Sequence, residues 1–319
     1  MTPTGSLANI PEGQLDRLIK RIGLILLAGM LVFVGFYLFD RWRPATAPIV
    51  DQRLAALEQA VRTDPNDIAK RGELADAYVV KGRFQDAITQ YTAILETGKA
   101  VELARMGRAA AYMGLKQYGP AAEDYQAVVD IAKDGEMANV DPTLEAAYYN
   151  LGSIAMKQDR AAAAIPFLES ALRIKRSDAD ALFLIGRAYG QTGAADKAEI
   201  ALRRAVAFVP IGWSEPYAAL AEVFSKAGRT AMAEWASAME ELASGKSQAA
   251  EPRLKALANT EAALDAAIGL GLLYETRGDS AAAAEWYTKA LALDPANDAA
   301  RLGMTRVGAI PSAAEGTNQ

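Results

Sequence analysis

Nucleophilic and metal chemistry have few side chains to work with in this chain, whose 319 residues include no histidine and no cysteine. A Ser-His-Asp relay needs an imidazole as its base, and a Cys-His pair needs both missing residues. Zinc sites built from imidazole and thiolate are excluded with them, as is covalent haem attachment through cysteine. Carboxylates are plentiful, with 39 Asp and Glu, so paired-carboxylate acid–base chemistry is the route left open by residue type. A solvated helical surface accounts for them more simply. "GLGLLY" at 269–274 has two glycines of a dinucleotide-binding loop, but Tyr274 stands at the third, and the segment lies within a helical pattern instead of after a strand. No GxxxxGK[ST] phosphate-binding sequence occurs. The chain therefore reads as a non-enzyme with no cofactor, no metal and no small-molecule substrate.

The elements that carry these residues are helices in a regular array. Ala87, Ala121, Ala164, Ala198, Ala233 and Ala283 follow one another at intervals of 34, 43, 34, 35 and 50. Nine residues before them stand Tyr78, Tyr112, Ala155, Tyr189, Phe224 and Tyr274. Such a period marks a solenoid of small units, none of which can bury its apolar face alone. In residues 266–295, Leu270, Leu273 and Tyr274 share one helical stripe, and Ala283, Tyr287 and Ala290 share a second. Gly278 suits the left-handed residue after a helix end, and Asp279 or Ser280 suits the next cap. Gly271 and Ala283 fall where two antiparallel helices must approach closely.

This pattern resembles the tetratricopeptide repeat, a helix–turn–helix of about 34 residues. The family's small and aromatic signature appears as Gly271, Tyr274, Ala283, Tyr287, Ala290 and Pro295, and again as Gly186, Tyr189, Ala198, Leu202, Ala205 and Pro210. Ala75, Tyr78, Ala87 and Tyr91 form a first unit; Ala109, Tyr112, Ala121 and Tyr125 a second. The third keeps Tyr148, Leu151, Gly152, Ala164 and Ala171 but has Ala155 for the aromatic. The fifth is weakest: Tyr217, Leu220, Ala221, Phe224 and Ala233 are followed by Ser237 and Glu240 at later core positions. The resemblance implies an all-α, right-handed superhelix over 51–308, with about six repeats near 68–100, 102–133, 145–177, 179–211, 214–244 and 264–296. Residues 57–67 and 297–307 read as half-repeat caps. An insertion at 133–142 lengthens one joint, an extra short helix is expected near 247–258, and 309–319 reads as a disordered tail.

Ahead of the array, residues 22–39, "IGLILLAGMLVFVGFYLF", are uncharged and largely apolar. As a helix, eighteen residues reach about 27 Å, near one hydrocarbon thickness. A tail at 1–21 precedes this expected transmembrane helix, and a Pro-containing linker at 40–50 follows it. Ala45-Thr46-Ala47 has the form of a signal-cleavage site, but the run is longer than a signal core and Pro48 follows, which favours an uncleaved anchor. Arg17, Lys20 and Arg21 on one flank nearly balance Arg41, Arg43 and Arg53 on the other. The short tail and single span favour a cytoplasmic N-terminus with the repeats outside the cytoplasm. Net charge is −5, with no basic footprint for nucleic acid.

In this family the first helix of each repeat lines the concave face. The resemblance places Leu103, Met106, Met113, Tyr149, Met156, Phe183 and Arg187 there, a methionine-rich, aromatic lining suited to an apolar or helical partner segment. Packing against neighbouring helices is the alternative for the same residues. Gly72, Asp76 and Met106 replace the basic residues of carboxylate-clamping, chaperone-binding members, so that specialisation is not expected. Three readings follow: a membrane-anchored protein–protein interaction scaffold of a membrane or envelope complex, a permanent structural subunit of one large assembly, or a holder of unfolded clients of the secretion or cytochrome c maturation type.

Overall fold

The computed structural model describes residues 49–309, together with Leu26, Met30, Phe33 and Val34. It divides into two compact units, residues 1–59 and 60–319. Fifteen α-helices occur among the described residues, with no strand. α1 spans Ile49–Thr63. There follow α2 (Ile68–Val80) with α3 (Phe84–Glu96), α4 (Val101–Gly114) with α5 (Tyr118–Ala132), and α6 (Pro142–Lys157) with α7 (Ala161–Ile174). Next come α8 (Ala179–Gln191) with α9 (Ala195–Phe208) and α10 (Glu215–Lys226) with α11 (Thr230–Ala243). α12 (Ser247–Ala256), α13 (Ala263–Thr276), α14 (Ser280–Leu293) and α15 (Asp298–Arg306) complete the second unit, which is an all-α superhelical solenoid.

One turn recurs between paired helices. After Tyr78, Tyr189, Phe224 and Tyr274, the residue four positions on is a glycine at positive φ: Gly82, Gly193, Gly228 and Gly278. The next N–H then returns to the carbonyl of the starting residue, as in Arg83 to Tyr78 at 2.8 Å and Asp279 to Tyr274 at 3.0 Å. This closes the last carbonyls of the first helix in a Schellman arrangement. Lys116 (φ 58) and Asp159 (φ 56) take the left-handed place in the second and third hairpins. Some of the opposite ends are held by side chains. Asp67, Asp178 and Asp279 accept from Lys70, Ala181 and Ala282 N–H at 2.9, 2.9 and 3.0 Å. In the lengthened joint, Asp141 caps α6 and Pro142 opens it.

Within a hairpin the two helices meet across small residues. Ala87, Ala121, Ala164, Ala198 and Ala283 are fully buried. A Cβ placed on Gly271 would lie 2.4 Å from the Tyr287 ring, and one on Gly303 of α15 would lie equally close to the other side. Gly152 and Gly186 receive Leu168 and Leu202 in the same way. First helices of neighbouring hairpins also touch, α2 on α4, α6 on α8 and α8 on α10.

The weak fifth repeat departs from its expected register. Ser237 and Glu240 are half-buried, as is Ala233, whereas Met232, Trp235, Ala236 and Met239 are buried. The cause is that α11 belongs to two hairpins, packing on α10 as a second helix and on α12 as a first. It ends as first helices end, with Gly245 at φ 82 and Lys246 N–H bonded to the Glu241 carbonyl at 2.8 Å. Counted from Glu241, Ala238 takes the small place, and Ala250, Leu254 and Leu257 stand where Ala283, Tyr287 and Ala290 stand relative to Tyr274. All four are buried. The 50-residue interval is thus a half repeat of 17 and a repeat of 33. A helix with two partners must bury two stripes, and seven of the 14 residues of α11 are buried.

Beyond α11 the touching row consists of α11, α13 and α15. Arg203 of α9 ties the upstream second helices to it. Its guanidinium lies 5.0 Å from the Trp235 ring, and its two terminal nitrogens donate to Asp265 of α13 at 2.8 and 3.1 Å. Glu199 accepts from both Arg203 and Arg229, at 2.9 and 2.7 Å.

No helix among the described residues is long and apolar enough to cross a membrane. The expected span at 22–39 lies outside them apart from Leu26, Met30, Phe33 and Val34, which are helical and exposed. The 1–21 tail, most of the 40–50 linker and residues 310–319 also lie outside.

Leucine at Ala198, Ala250 or Ala283 is expected to cost about 1–3 kcal/mol through overpacking, read as a lowered melting temperature. An unchanged A250L melt beside a lowered A283L melt removes Ala250 from the repeat register. Glu251 of α12 supplies a pH test. Hydrogen bonds from Lys255 first, then Tyr274, then Arg277 hold its carboxyl down at about 2, against an ordinary 4.5. A depressed acid stabilises above its unfolded pKa, so this contribution is complete above about pH 4.5 and is lost towards pH 2. Glu251→Gln is expected to flatten stability against pH in that window; an unchanged acid limb refutes the assignment.

Candidate functional site

The seven residues expected on the concave face do not form one continuous groove. Leu103 is exposed, 69% of its surface free, and shares a shallow depression with Ile131 at the open end of the α4–α5 hairpin. Met106 and Met113 are half-buried against the cluster built on Tyr125, Val128 and Leu151. Tyr149 and Met156 lie against the next cluster, around Ala164, Leu168 and Ile185. Phe183 is met edge-on by Trp213 at 5.3 Å, from the segment before α10. Arg187 is exposed, its guanidinium 5.6 Å from the Phe183 ring. Five of the seven thus contribute partly to packing between repeats while keeping a solvent edge. Burial first, then Asp180, Asp178 and Glu145, holds the Tyr149 phenol above its ordinary pKa, so it remains a neutral donor on an acidic stretch of this face.

Between α8 and α10 the first helices are close. A Cβ on Gly190 would stand 3.1 Å from Val223, and the crevice beside Arg187 measures only about 40 Å³. The larger concavities lie on the other side, where successive second helices flank a first helix. One of about 550 Å³ lies between α5 and α7, over Leu151, Ile154 and Ala155 of α6. Another of about 680 Å³ lies between α7 and α9, over Leu182, Ile185 and Tyr189 of α8. In the latter, Tyr189 donates to Glu169 at 2.8 Å. Burial and that carboxylate push its phenol up to about 12.

A separate polar cluster is structural in form. Asp124, 2% exposed, accepts from Arg105 at 2.9 Å and from two nitrogens of Arg108 at 2.7 and 2.8 Å, tying α5 to α4. Among the described residues no group of three or more acidic side chains is arranged to hold a metal ion.

The outer grooves and the doubled role of α11 escaped the sequence register. The signals for the second were present: Gly245 at the turn position, and Ala250 at 33 residues before Ala283. Glu241 hid them by standing where other repeats carry Tyr or Phe. Its carboxylate pairs with Arg253 at 2.9 Å, so a charged residue fills an aromatic slot.

Sequence models described as tetratricopeptide repeat match residues 73–136 and 236–298, and a second such model matches 155–223. The last of these stretches along the chain begins inside α11. A search of curated proteins finds no match. Among solved structures, the C-terminal part of a TPR repeat-containing protein from Cytophaga hutchinsonii aligns at 18% identity, covering 80% of this chain and 94% of that one, with a TM-score of 0.51. A MamA chain running from position 41 to the end, from Desulfovibrio magneticus RS-1, aligns at 20% identity, covering 57% of this chain and 98% of that one, with a TM-score of 0.50. At these identities the likeness is one of fold.

Proposed function

Because the chain belongs to the tetratricopeptide repeat family, we propose that it is a protein–protein interaction scaffold, anchored in a membrane through residues 22–39 and binding apolar or helical segments of its partners on the first helices of repeats two to four. Proteins of this family mediate protein–protein interactions. The observation that carries the reading is the set of side chains on α4 and α6: Leu103 is exposed, and Met106, Met113, Tyr149 and Met156 keep solvent-accessible surface although they pack against buried clusters. Methionine adapts its shape to different apolar partners at little cost in rotamer energy. The anchor rests on the uncharged apolar run and on Pro48 behind the cleavage-like Ala45-Thr46-Ala47.

Affinity capture of the full-length chain in mild detergent, with stoichiometry by mass spectrometry, tests the scaffold. Leu103→Asp and Met156→Asp together are expected to release most captured partners while the helical signal and melting temperature stay within a few degrees. Retention of every partner by the double variant refutes the first-helix surface. A fixed set of subunits at constant ratio identifies a permanent structural component, and a variable, substoichiometric set identifies a docking or client-holding role. Sequencing of the mature N-terminus tests the anchor: a start at Pro48 refutes it.

A further inference from the structure

The groove between α7 and α9 is rimmed by a cluster of cations. Its floor is apolar: Leu182 and Ile185 are almost wholly buried beneath it, and Leu172 and Ile200 stand on its walls. Around the rim are Arg173, Arg176, Lys197 and Arg204, all exposed. None of the four has a carboxylate within ion-pair distance among the described residues. Arg173 donates to the Ser170 hydroxyl at 2.7 Å, Arg204 donates to the Arg176 carbonyl at 2.7 Å, and Lys197 lies 5.4 Å from the Tyr189 ring. Asp178 is paired with Lys175 at 2.6 Å, and Glu199 with Arg203 and Arg229; Glu169, the one carboxylate in the groove's lining, accepts from the neutral Tyr189 hydroxyl and keeps its charge. Elsewhere many arginines are neutralised within the fold, among them Arg105, Arg108, Arg203, Arg253 and Arg306. Four cations without an ion-pair partner, against the single carboxylate of Glu169 in the same lining, leave a net excess of positive charge around one apolar groove in a chain of net charge −5.

We propose that this groove takes an acidic amphipathic helix of a partner protein. The apolar stripe of the helix lies on Leu172, Leu182, Ile185 and Ile200, and its flanking carboxylates meet Arg173, Arg176, Lys197 and Arg204. A helix in a groove is held by anchors one turn apart, and a volume of about 680 Å³ accommodates several such side chains. A free phosphate uses the rim but not the apolar floor. A flat bilayer reaches the rim, while α7 and α9 stand between it and Leu182 and Ile185. Carboxylates opposite the rim accelerate and orient association, and they do so less as salt screens them. This surface is on the opposite side of the hairpins from Leu103 and Met156, so it is independent of the concave-face reading.

The test is fluorescence anisotropy on the purified full-length chain with synthetic peptides of about 18 residues, which span about 27 Å as helices. One peptide carries a leucine stripe with glutamates, one the same stripe with lysines, and one the first composition with the stripe scrambled. The acidic striped peptide is expected to bind at least about tenfold more tightly than the other two, and to weaken as sodium chloride is raised. Arg176→Glu with Arg204→Glu, and separately Ile200→Asp, are expected to weaken it by about tenfold or more. These are exposed positions, and circular dichroism confirms that the fold is kept. Leu103→Asp is expected to leave binding unchanged. Equal affinity for all three peptides, no binding of the acidic one at millimolar concentration, or full binding by either the rim or the wall variant overturns the proposal. Binding confined to phosphatidylserine vesicles, with no peptide bound, overturns it in favour of a lipid surface.

Discussion

Everything in the solenoid depends on the contact of a large side chain with a residue that has almost none. Tyr287 lies between Gly271 and Gly303, each of which would bring a Cβ to within about 2.4 Å of its ring. Leu168 on Gly152 and Leu202 on Gly186 repeat the arrangement. Because interiors are packed to near crystalline density, the small residue sets how near two helices come and the large one sets how they are rotated. Ala283 and its counterparts extend the same constraint along the second helices. The hairpins other than α10–α11 keep the fully buried alanine, and each unit buries its apolar faces only against its neighbours.

That constraint is also why so much of the fold is legible in the sequence. An alanine nine residues after an aromatic, with a glycine between them, encodes a helix end, a left-handed turn and a close approach together. Gly278 and Asp279 fulfil this locally, the first by its φ of 76 and the second by capping Ala282. Lys116 and Asp159 fill the same turn without glycine because the reverse hydrogen bonds, Gln117 to Tyr112 and Arg160 to Ala155, are still made. The register failed only at α11, where two overlapping patterns occupy one helix and Glu241 stands in an aromatic place.

The candidate surfaces were less legible, for a physical reason. Position within a repeat predicts which side of a hairpin a residue occupies, but not whether a neighbouring element covers it. Phe183 is capped by Trp213, a residue outside the periodic pattern. Arg173, Arg176, Lys197 and Arg204 look like ordinary solvated charges in sequence. Only the splay of α7 from α9 gathers them around one apolar floor.

The helix that serves two hairpins changes what a partner meets along the stack. In an array of strict pairs, all first helices lie in one row, and a long ligand follows them from end to end. Here the upstream row closes with α10, a downstream row of α11, α13 and α15 begins, and the bond from Arg203 on α9 to Asp265 on α13 links that row to a second helix upstream. The row of touching first helices therefore breaks twice, between α4 and α6 at the lengthened joint and again at α11. Surfaces on the two sides of the stack are thus built from different helices, and a substitution on one leaves the residues of the other in place.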